Sequence, residues 1–411
     1  MFFIYRFFIN LILILSPVIF VFRYLKKRES LESYKQKIGL FKKIKPKKNL
    51  VWFHGASVGE FQSIVPVIEK LEKNKKINRI LITSNTLSSL NLIKKYKFKK
   101  VIHAFFPIDT NFIAKKFIKY WNPSKVFFID SEIWPNMLRN LKISKIPILL
   151  INARITNKTF RRWSKIIFFA KKIFSYFDLC LSSNKETMSY LKKLGSKKIK
   201  YIGNLKFSQS EKQTFKMKKK LKKFFYNKRV WCASSTHFPE EIMCAKSHLI
   251  LKKKFENLVT VIIPRHVEKS LFIKKKLESL NLKVHLDESN QKLTGDIDIY
   301  LVNSYGKTRV FFKSFKNIFL GGSLINHGGQ NPLEAVRYGC KIINGPHIQN
   351  FKEIYKFLEK KNISKKIIDQ KDMTKKLSIM LENSRKLTNI NYELKTAGSN
   401  ILRKTISEMN F

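Results

Sequence analysis

The chain is 411 residues long and carries 83 lysines and arginines against 28 aspartates and glutamates, a formal charge of +55. Hydrophobic residues make up 44% and charged residues 27%, which excludes disordered, collagen-like and low-complexity chains, while the length admits two to three domains. So basic a field implies an anionic partner, with nucleic acid, an anionic membrane surface and a phosphorylated substrate all in play. Cys180, Cys232, Cys244 and Cys340 have neither C-x-x-C spacing nor a disulfide framework and read as reduced, buried thiols. The eight histidines form no H-x-x-x-H or H-E-x-x-H pattern, so no zinc site is expected.

From Phe2 to Phe22 the chain reads FFIYRFFINLILILSPVIFVF, followed at once by Arg23, Lys26, Lys27 and Arg28. An apolar run of that length predicts a membrane anchor over residues 1–24. The basic cluster lies after the run, unlike that of a cleaved signal peptide, and the positive-inside tendency then leaves the body of the protein in the cytoplasm. A helix lying in the membrane interface is the alternative.

Short β-branched or aromatic runs then alternate with longer lysine-faced amphipathic stretches. Strands are predicted at Leu50–Phe53, Ile80–Thr83, Val101–Ala104, Val126–Ile129, Ile148–Ile151 and Leu179–Ser182. The rhythm repeats at Val230–Ala233, Leu258–Ile263, Ile299–Val302, Ile318–Leu320 and Lys341–Ile343. Apolar strands separated by helical segments imply parallel sheets covered on both faces, hence two α/β domains. The lysine-rich stretch Phe207–Val230 has no strand signal and marks the boundary. The expected division is 1–24 anchor, 25–206 N-terminal domain, 207–229 linker and 230–411 C-terminal domain. Functional residues should follow strands, because ligands of open parallel sheets bind beyond the carboxyl ends of the strands.

His54-Gly-Ala-Ser-Val-Gly-Glu60 follows the first strand. Ser57-x-x-Glu60 fits a capping box in which Glu60 reaches back to the Ser57 amide, yet a glutamate at the mouth of a parallel sheet also suits a general base. Asp130-Ser-Glu132-Ile-Trp134-Pro-Asn136 forms an acidic corner in a chain poor in acids, although it also reads as a helix start with Trp134 in the core. In the second half, Ala233-Ser-Ser235-Thr236-His237, Pro264-Arg265-His266, Gly321-Gly322-Ser323 and His327-Gly-Gly-Gln-Asn331-Pro332-Leu333-Glu334 each follow a strand. Glycines at a helix start beside a strand-end arginine suit an anion cradle of backbone N–H groups; Asn331–Glu334 also reads as a simple cap with Pro332 at the first helical position. Neither a P-loop nor G-x-G-x-x-G occurs, and Asp296-Ile-Asp298 is a weak echo of a D-x-D metal signature.

Taken together, these segments, with NARIT at 152–156, GNLKF at 203–207 and GPHIQNF at 345–351, resemble the 3-deoxy-D-manno-octulosonic acid (Kdo) transferases of lipopolysaccharide assembly. The resemblance implies an α/β GT-B glycosyltransferase, two Rossmann-like domains facing across a cleft, the first receiving the lipid acceptor and the second the CMP-activated sugar. It further implies metal-independent, inverting transfer of Kdo from CMP-Kdo to the tetraacyl lipid A precursor at the cytoplasmic face of the inner membrane, with no cofactor. By motif, Glu60 would be the base, and Asp130, Glu132 and Lys206 would support the transition state. Pro264, Arg265, the turn Tyr305-Gly306-Lys307 and Asn331, Pro332, Leu333 and Glu334 would hold CMP, with Ser235, Thr236, His237, Gly322 and Ser323 supporting the donor site.

Two positions depart from the family pattern. Asp130 stands where the family usually has glutamate, and Asn303-Ser-Tyr-Gly-Lys307 replaces a D-T-x-G-E-like turn. The expected partners are CMP-Kdo, the lipid A precursor and an anionic inner-membrane surface, which together account for the basic charge. A nucleic-acid-binding protein is disfavoured by the lack of any recognisable module; a GT-B transferase using another nucleotide sugar is the nearer alternative.

Overall fold

A computed structural model describes residues 1–41, 49–209, 216–288, 293–382 and 390–411. The first sheet comprises β1 (Leu50–His54), β2 (Arg79–Ser84), β3 (Val101–Phe105), β4 (Lys125–Ile129), β5 (Ile148–Ala153), β6 (Leu179–Ser182) and β7 (Ile199–Tyr201). The second comprises β8 (Arg229–Thr236), β9 (Leu258–Pro264), β10 (Val284–Leu286), β11 (Ile299–Leu301), β12 (Asn317–Leu320), β13 (Lys341–Asn344) and β14 (Ser364–Lys366). Their orders are β3-β2-β1-β4-β5-β6-β7 and β10-β11-β9-β8-β12-β13-β14, with every pairing parallel.

The apolar runs form strands because both faces of each sheet are covered. Alternate residues of β1 feed two cores: Leu50 and Trp52 pack with Phe117 and Phe128 on one side, Val51 and Phe53 with Phe61 and Phe127 on the other. Every strand expected from sequence is present. The three that were not expected, β7, β10 and β14, are each three residues long and each an edge of its sheet. β7 and β14 are largely exposed and so lack the continuous apolar run that betrays a central strand.

The chain divides into two compact units, Met1–Ser210 with Lys395–Phe411, and Glu211–Leu394. The expected second domain, 230–411, is thereby corrected at its end. The last residues return to the first unit, where Lys125 Nζ bonds the carbonyls of Met409 (2.8 Å) and Asn410 (2.6 Å) and Phe411 packs 5.7 Å from the Phe127 ring. Within the expected linker, Lys219–Phe224 is a helix with no buried residue, and 210–215 lie outside the described residues. All four cysteines are free and buried.

The apolar N-terminal run forms one helix, Phe2–Leu25, as expected. It lies along the first unit. Phe2 meets the Phe169 ring at 5.0 Å, the Tyr5 hydroxyl donates to buried Asp109 (2.8 Å), and Arg6 donates to Asn136 (3.0 Å) and Asn111 (2.9 Å). Further along, Ser16 bonds Tyr34 (3.1 Å), Phe20 stacks on Tyr34, and Arg23 pairs with Glu29 (3.0 Å).

Candidate functional site

The strand order reverses between β1 and β4 in the first sheet and between β8 and β12 in the second, and at such a switch point the loops leaving adjacent strands splay apart and open a crevice. The motifs lie there. His54–Glu60 leaves β1 and Asp130–Asn136 leaves β4; Ser235–His237 leaves β8 and Gly321–Ser323 leaves β12.

In the first unit Glu60 sits in the first turn of the helix Val58–Leu71, whose N-cap is Ser57. It does not make the expected bond to the Ser57 amide. Its carboxylate takes the Ala56 N–H (2.7 Å) and the Ser57 hydroxyl (2.8 Å), while Ser57 Oγ accepts the Glu60 N–H (3.3 Å). Gly55 permits this fold-back, since a Cβ there would lie 3.0 Å from Ile129 and 3.2 Å from Glu60 Cβ. Burial, together with the negative charges of Glu132 and Asp130, pushes the Glu60 carboxyl up to about 7, against the opposing pull of its two hydrogen bonds.

The acidic corner is organised by its neighbours. Asp130 adopts a left-handed backbone (φ 55°) and accepts Asn152 Nδ2–H at 2.5 Å; the same side chain's Oδ1 takes the Leu205 N–H at 2.9 Å. Asn152 thus ties β4 to the 3₁₀ turn Leu205–Ser208, which carries Lys206. Burial raises the Asp130 carboxyl, opposed by Lys206, the Asn152 bond and Arg154. Burial lowers the Lys206 ammonium, and Asp130 works against that.

Glu132 goes the other way. Burial opposes ionisation, but His54 Nε2 at 3.1 Å and Trp134 Nε1–H at 2.9 Å converge on one carboxylate oxygen and hold the group below its usual range. Trp134 is half-buried, packing against the core as well as donating to Glu132. Glu60, Asp130, Glu132 and Lys206 all belong to this one electrostatic cluster. His54, Asn152 and Arg154 had no assigned role from sequence although they lie within motifs; their positions at the end of β1 and at or just past the end of β5 were the available signal.

The second unit departs from the expected anion cradle. The N–H groups of His237 (2.9 Å), Gly322 (2.6 Å), Ser323 (3.0 Å) and Leu324 (2.9 Å) all point at the fully buried carboxylate of Glu240. The nest at Gly322 and Ser323 holds the protein's own anion and is not open to a phosphate. Gly321 allows the approach, as a Cβ there would lie 2.5 Å from Thr236 Cα. No sequence signal marked Glu240, because its partners at 322–324 lie more than eighty residues away.

Beside this nest the exposed side chains are Arg265, His266, Glu268 and Lys269, with Glu268 on the His266 ring (3.0 Å). Arg265 and His266 are exposed at the end of β9, and the His237 ring lies 5.5 Å from His266 and 4.0 Å from His327. Burial, reinforced by the positive fields of His327, His266, Arg265 and Lys269, pushes His237 down to about 4. Ser235 has φ 55°, and buried Thr236 and Pro264 pair across β8 and β9; they shape the backbone.

The turn 303–307 is held by carboxylates of neighbouring segments. Lys307 pairs with Asp287 (2.5 Å) and Glu288 (2.7 Å), and the Tyr305 hydroxyl donates to Glu268 (3.1 Å), with Gly306 between them. Pro332 and Leu333 are buried, Asn331 caps the Leu333 N–H (3.2 Å), and the Glu334 carboxylate accepts Arg309 Nε–H (2.5 Å). Asp298 is drawn away from any D-x-D role: it receives the Lys283 N–H (2.8 Å), Lys252 and His248, while Asp296 pairs with Lys283.

A family model described as 3-deoxy-D-manno-octulosonic-acid transferase matches residues 32–209. The chain is 30% identical over 373 residues to a probable mitochondrial 3-deoxy-D-manno-octulosonic acid transferase of Arabidopsis thaliana, covering 88% of this chain and 83% of that protein. It is 32% identical over 362 residues to the 3-deoxy-D-manno-octulosonic acid transferase of Rickettsia prowazekii, covering 86% and 76%. Among solved structures, the UDP-GlcNAc 2-epimerase of Neisseria meningitidis, bound to UDP-GlcNAc, superposes with a TM-score of 0.60 at 14% identity over 87% of this chain and 100% of that one. That likeness shows the fold, which is of the GT-B class.

Proposed function

The chain belongs to the 3-deoxy-D-manno-octulosonic acid transferase family and is therefore a glycosyltransferase; from that premise we propose that it moves Kdo from CMP-Kdo to the tetraacyl lipid A precursor with inversion, Glu60 acting as general base. The observation that carries this reading is the divergence of two neighbouring carboxyls. Glu132 is held ionised by His54 and Trp134, while Glu60 is pushed up to about 7, where a base is half-deprotonated at neutral pH and still takes a proton effectively.

The acceptor hydroxyl gives its proton to Glu60 as its oxygen bonds to the anomeric carbon of Kdo. The bond from that carbon to the CMP phosphate oxygen breaks, and CMP leaves with the electron pair. A single displacement of this kind inverts the anomeric centre. Negative charge grows on the leaving phosphate, and preorganised cations stabilise it more in the transition state than in the ground state. Arg265, Lys269 and the histidines around His237 are the groups suited to the phosphate, with Asn331 to Glu334 forming the adjoining nucleotide contact. Lys206 and Asp130 fix the field around the acceptor hydroxyl. The step needs no metal, since cationic side chains supply the charge and Asp298 is committed to lysine and histidine.

The helix Phe2–Leu25 attaches the enzyme to the cytoplasmic face of the inner membrane, where an anionic bilayer and a phosphorylated glycolipid match the +55 charge. The test is incubation with CMP-Kdo and lipid A precursor, followed by mass analysis of the glycolipid. Addition of Kdo, lost in Glu60→Gln, supports the reading. Turnover with another nucleotide sugar and none with CMP-Kdo rejects the donor, and full turnover by Glu60→Gln rejects the base.

A further inference from the structure

The N-terminal helix touches the first unit along one face from end to end. Tyr5, Ile9, Leu13, Ser16, Phe20 and Arg23 are covered or partly covered positions, three or four residues apart, the spacing of a single helical stripe. Contacts are made at both ends: Tyr5 and Arg6 with Asp109, Asn111 and Asn136, and Phe20 and Arg23 with Tyr34 and Glu29. A helix of this length is roughly 36 Å long at about 1.5 Å per residue, enough to cross a hydrocarbon core of about 30 Å. Crossing would carry Tyr5 and Arg6 to the far side, away from the domain that binds them, and would strip a hydrogen bond from an Asp109 with no exposed surface. Docking on the domain and spanning the bilayer are mutually exclusive.

The opposite face is apolar and uncovered. Phe3 is 83% exposed, Ile14 73% and Val18 71%. Two further exposed rings adjoin its N-terminal end: Phe168 (88%), next to the Phe169 that meets Phe2, and Phe112 (75%), next to the Asn111 that binds Arg6. A strip of this size on a monomer's surface marks a partner. Its charge says which. The helix has no Asp or Glu, Arg139 and Lys172 each lie 5.7 Å from the Phe2 ring at one end, and Lys26 lies 4.0 Å from the Phe22 ring at the other. Two copies of this face would bring cations together, whereas anionic headgroups neutralise them while the acyl chains take the apolar strip.

We propose that the helix Phe2–Leu25 lies flat in one leaflet of an anionic bilayer as a keel fixed to the first domain, and does not span the membrane. The inference deepens the membrane attachment read above, because the keel also holds the acidic corner: Asp109, which receives Tyr5, accepts the N–H groups of Asn136 (2.9 Å) and Met137 (2.7 Å) that open the helix after Asp130–Trp134. The catalytic corner is thereby kept at a fixed height above the lipid surface, as suits an acceptor embedded in that leaflet.

The test uses the full chain with single cysteines, Phe3→Cys, Phe7→Cys, Ile14→Cys, Val18→Cys and Phe22→Cys, labelled with a fluorophore, the native cysteines being buried. The protein is bound to vesicles of phosphatidylglycerol and phosphatidylethanolamine, and label depth is read by nitroxide-lipid quenching. A flat helix gives one shallow depth, about 5–10 Å, at all five sites. A depth that peaks near residue 14 and falls off towards residue 3 overturns the flat seating and leaves attachment intact. Labels left in water overturn attachment as well. Labels shielded from both water and lipid assign the face to a second copy and equally reject the proposal. None of these readouts depends on Kdo transfer, so they stand apart from the proposed chemistry.

Discussion

His54 Nε2 lies 3.1 Å from Glu132, and His54 Nδ1 lies 3.0 Å from the Thr83 hydroxyl, whose oxygen in turn receives the Trp52 indole N–H at 2.8 Å. A carboxylate only accepts, so His54 Nε2 donates to Glu132, while Nδ1 on the far side of the ring is held by Thr83. The arrangement keeps an anion beside Glu60. In Glu132→Gln the amide oxygen can receive the same donors, but the charge is gone, so the Glu60 carboxyl should titrate lower than about 7. The acid limb of kcat/KM should then move to lower pH. A pH–rate profile on the variant's residual activity, with the Glu60 carboxyl followed by ¹³C NMR, checks this; an unmoved limb separates Glu132 from the base.

The elevated Glu60 carboxyl also carries a stability cost. A carboxyl raised from 4.5 to about 7 in the fold binds more protons folded than unfolded, so its contribution is fully present below pH 4.5 and is lost as pH rises through about 7. Glu60→Gln, which cannot ionise, should melt like the wild type near pH 4.5 and above it at pH 8, by free energy on the order of 1–3 kcal/mol. Calorimetry at the two pH values tests the sign. Equal melting at both would mean Glu60 ionises without cost.

Arg265 and Lys307 should part company in a CMP titration. Arg265 is exposed at a strand end, where its backbone N–H donates to Thr236 (2.9 Å). Arg265→Ala should therefore weaken CMP by about 10- to 100-fold, the worth of one charge-assisted contact, at constant melting temperature. Lys307→Ala should leave CMP affinity alone and lower the melting temperature, since it leaves Asp287, whose side chain is 5% exposed, with the Tyr300 hydroxyl but without its cation.

His237 offers a spectroscopic reporter of the same surface. The neighbouring cations and its burial hold it down to about 4. A bound phosphate would offset those cations, so CMP should raise the His237 titration midpoint in ¹H NMR. An unchanged midpoint at saturating CMP would move the phosphate elsewhere.

Glu240 should prove structural. Its carboxylate receives four backbone N–H groups from two loops, so Glu240→Ala orphans buried donors at His237, Gly322, Ser323 and Leu324. Destabilisation on the order of 3 kcal/mol or more is expected in urea unfolding. A loss under about 1 kcal/mol would show that the loops find other acceptors.

The central strands were legible in the sequence because residues such as Leu50–Phe53 and Val126–Ile129 are buried on both faces and must be apolar throughout, and the motifs were legible because they follow those strands at the switch points. The order of motifs fixed the family and, with it, Glu60, Asp130, Glu132 and Lys206 as one group. Tertiary structure alone decided the rest. Edge strands such as β7 and β14 escape a pattern built on burial, and the final helix returns to the first unit through contacts of Lys125 with residues 409 and 410 that no local rule encodes. That the Gly322–Ser323 nest is filled by Glu240, that Lys307 answers to Asp287, and that the apolar N-terminal helix is fastened by Tyr5 to Asp109 are pairings across tens of residues. Sequence supplies the donors and the acceptors; which of them meet is set by chain closure and packing, where each buried polar group must find a partner and often finds one in the protein before any ligand arrives.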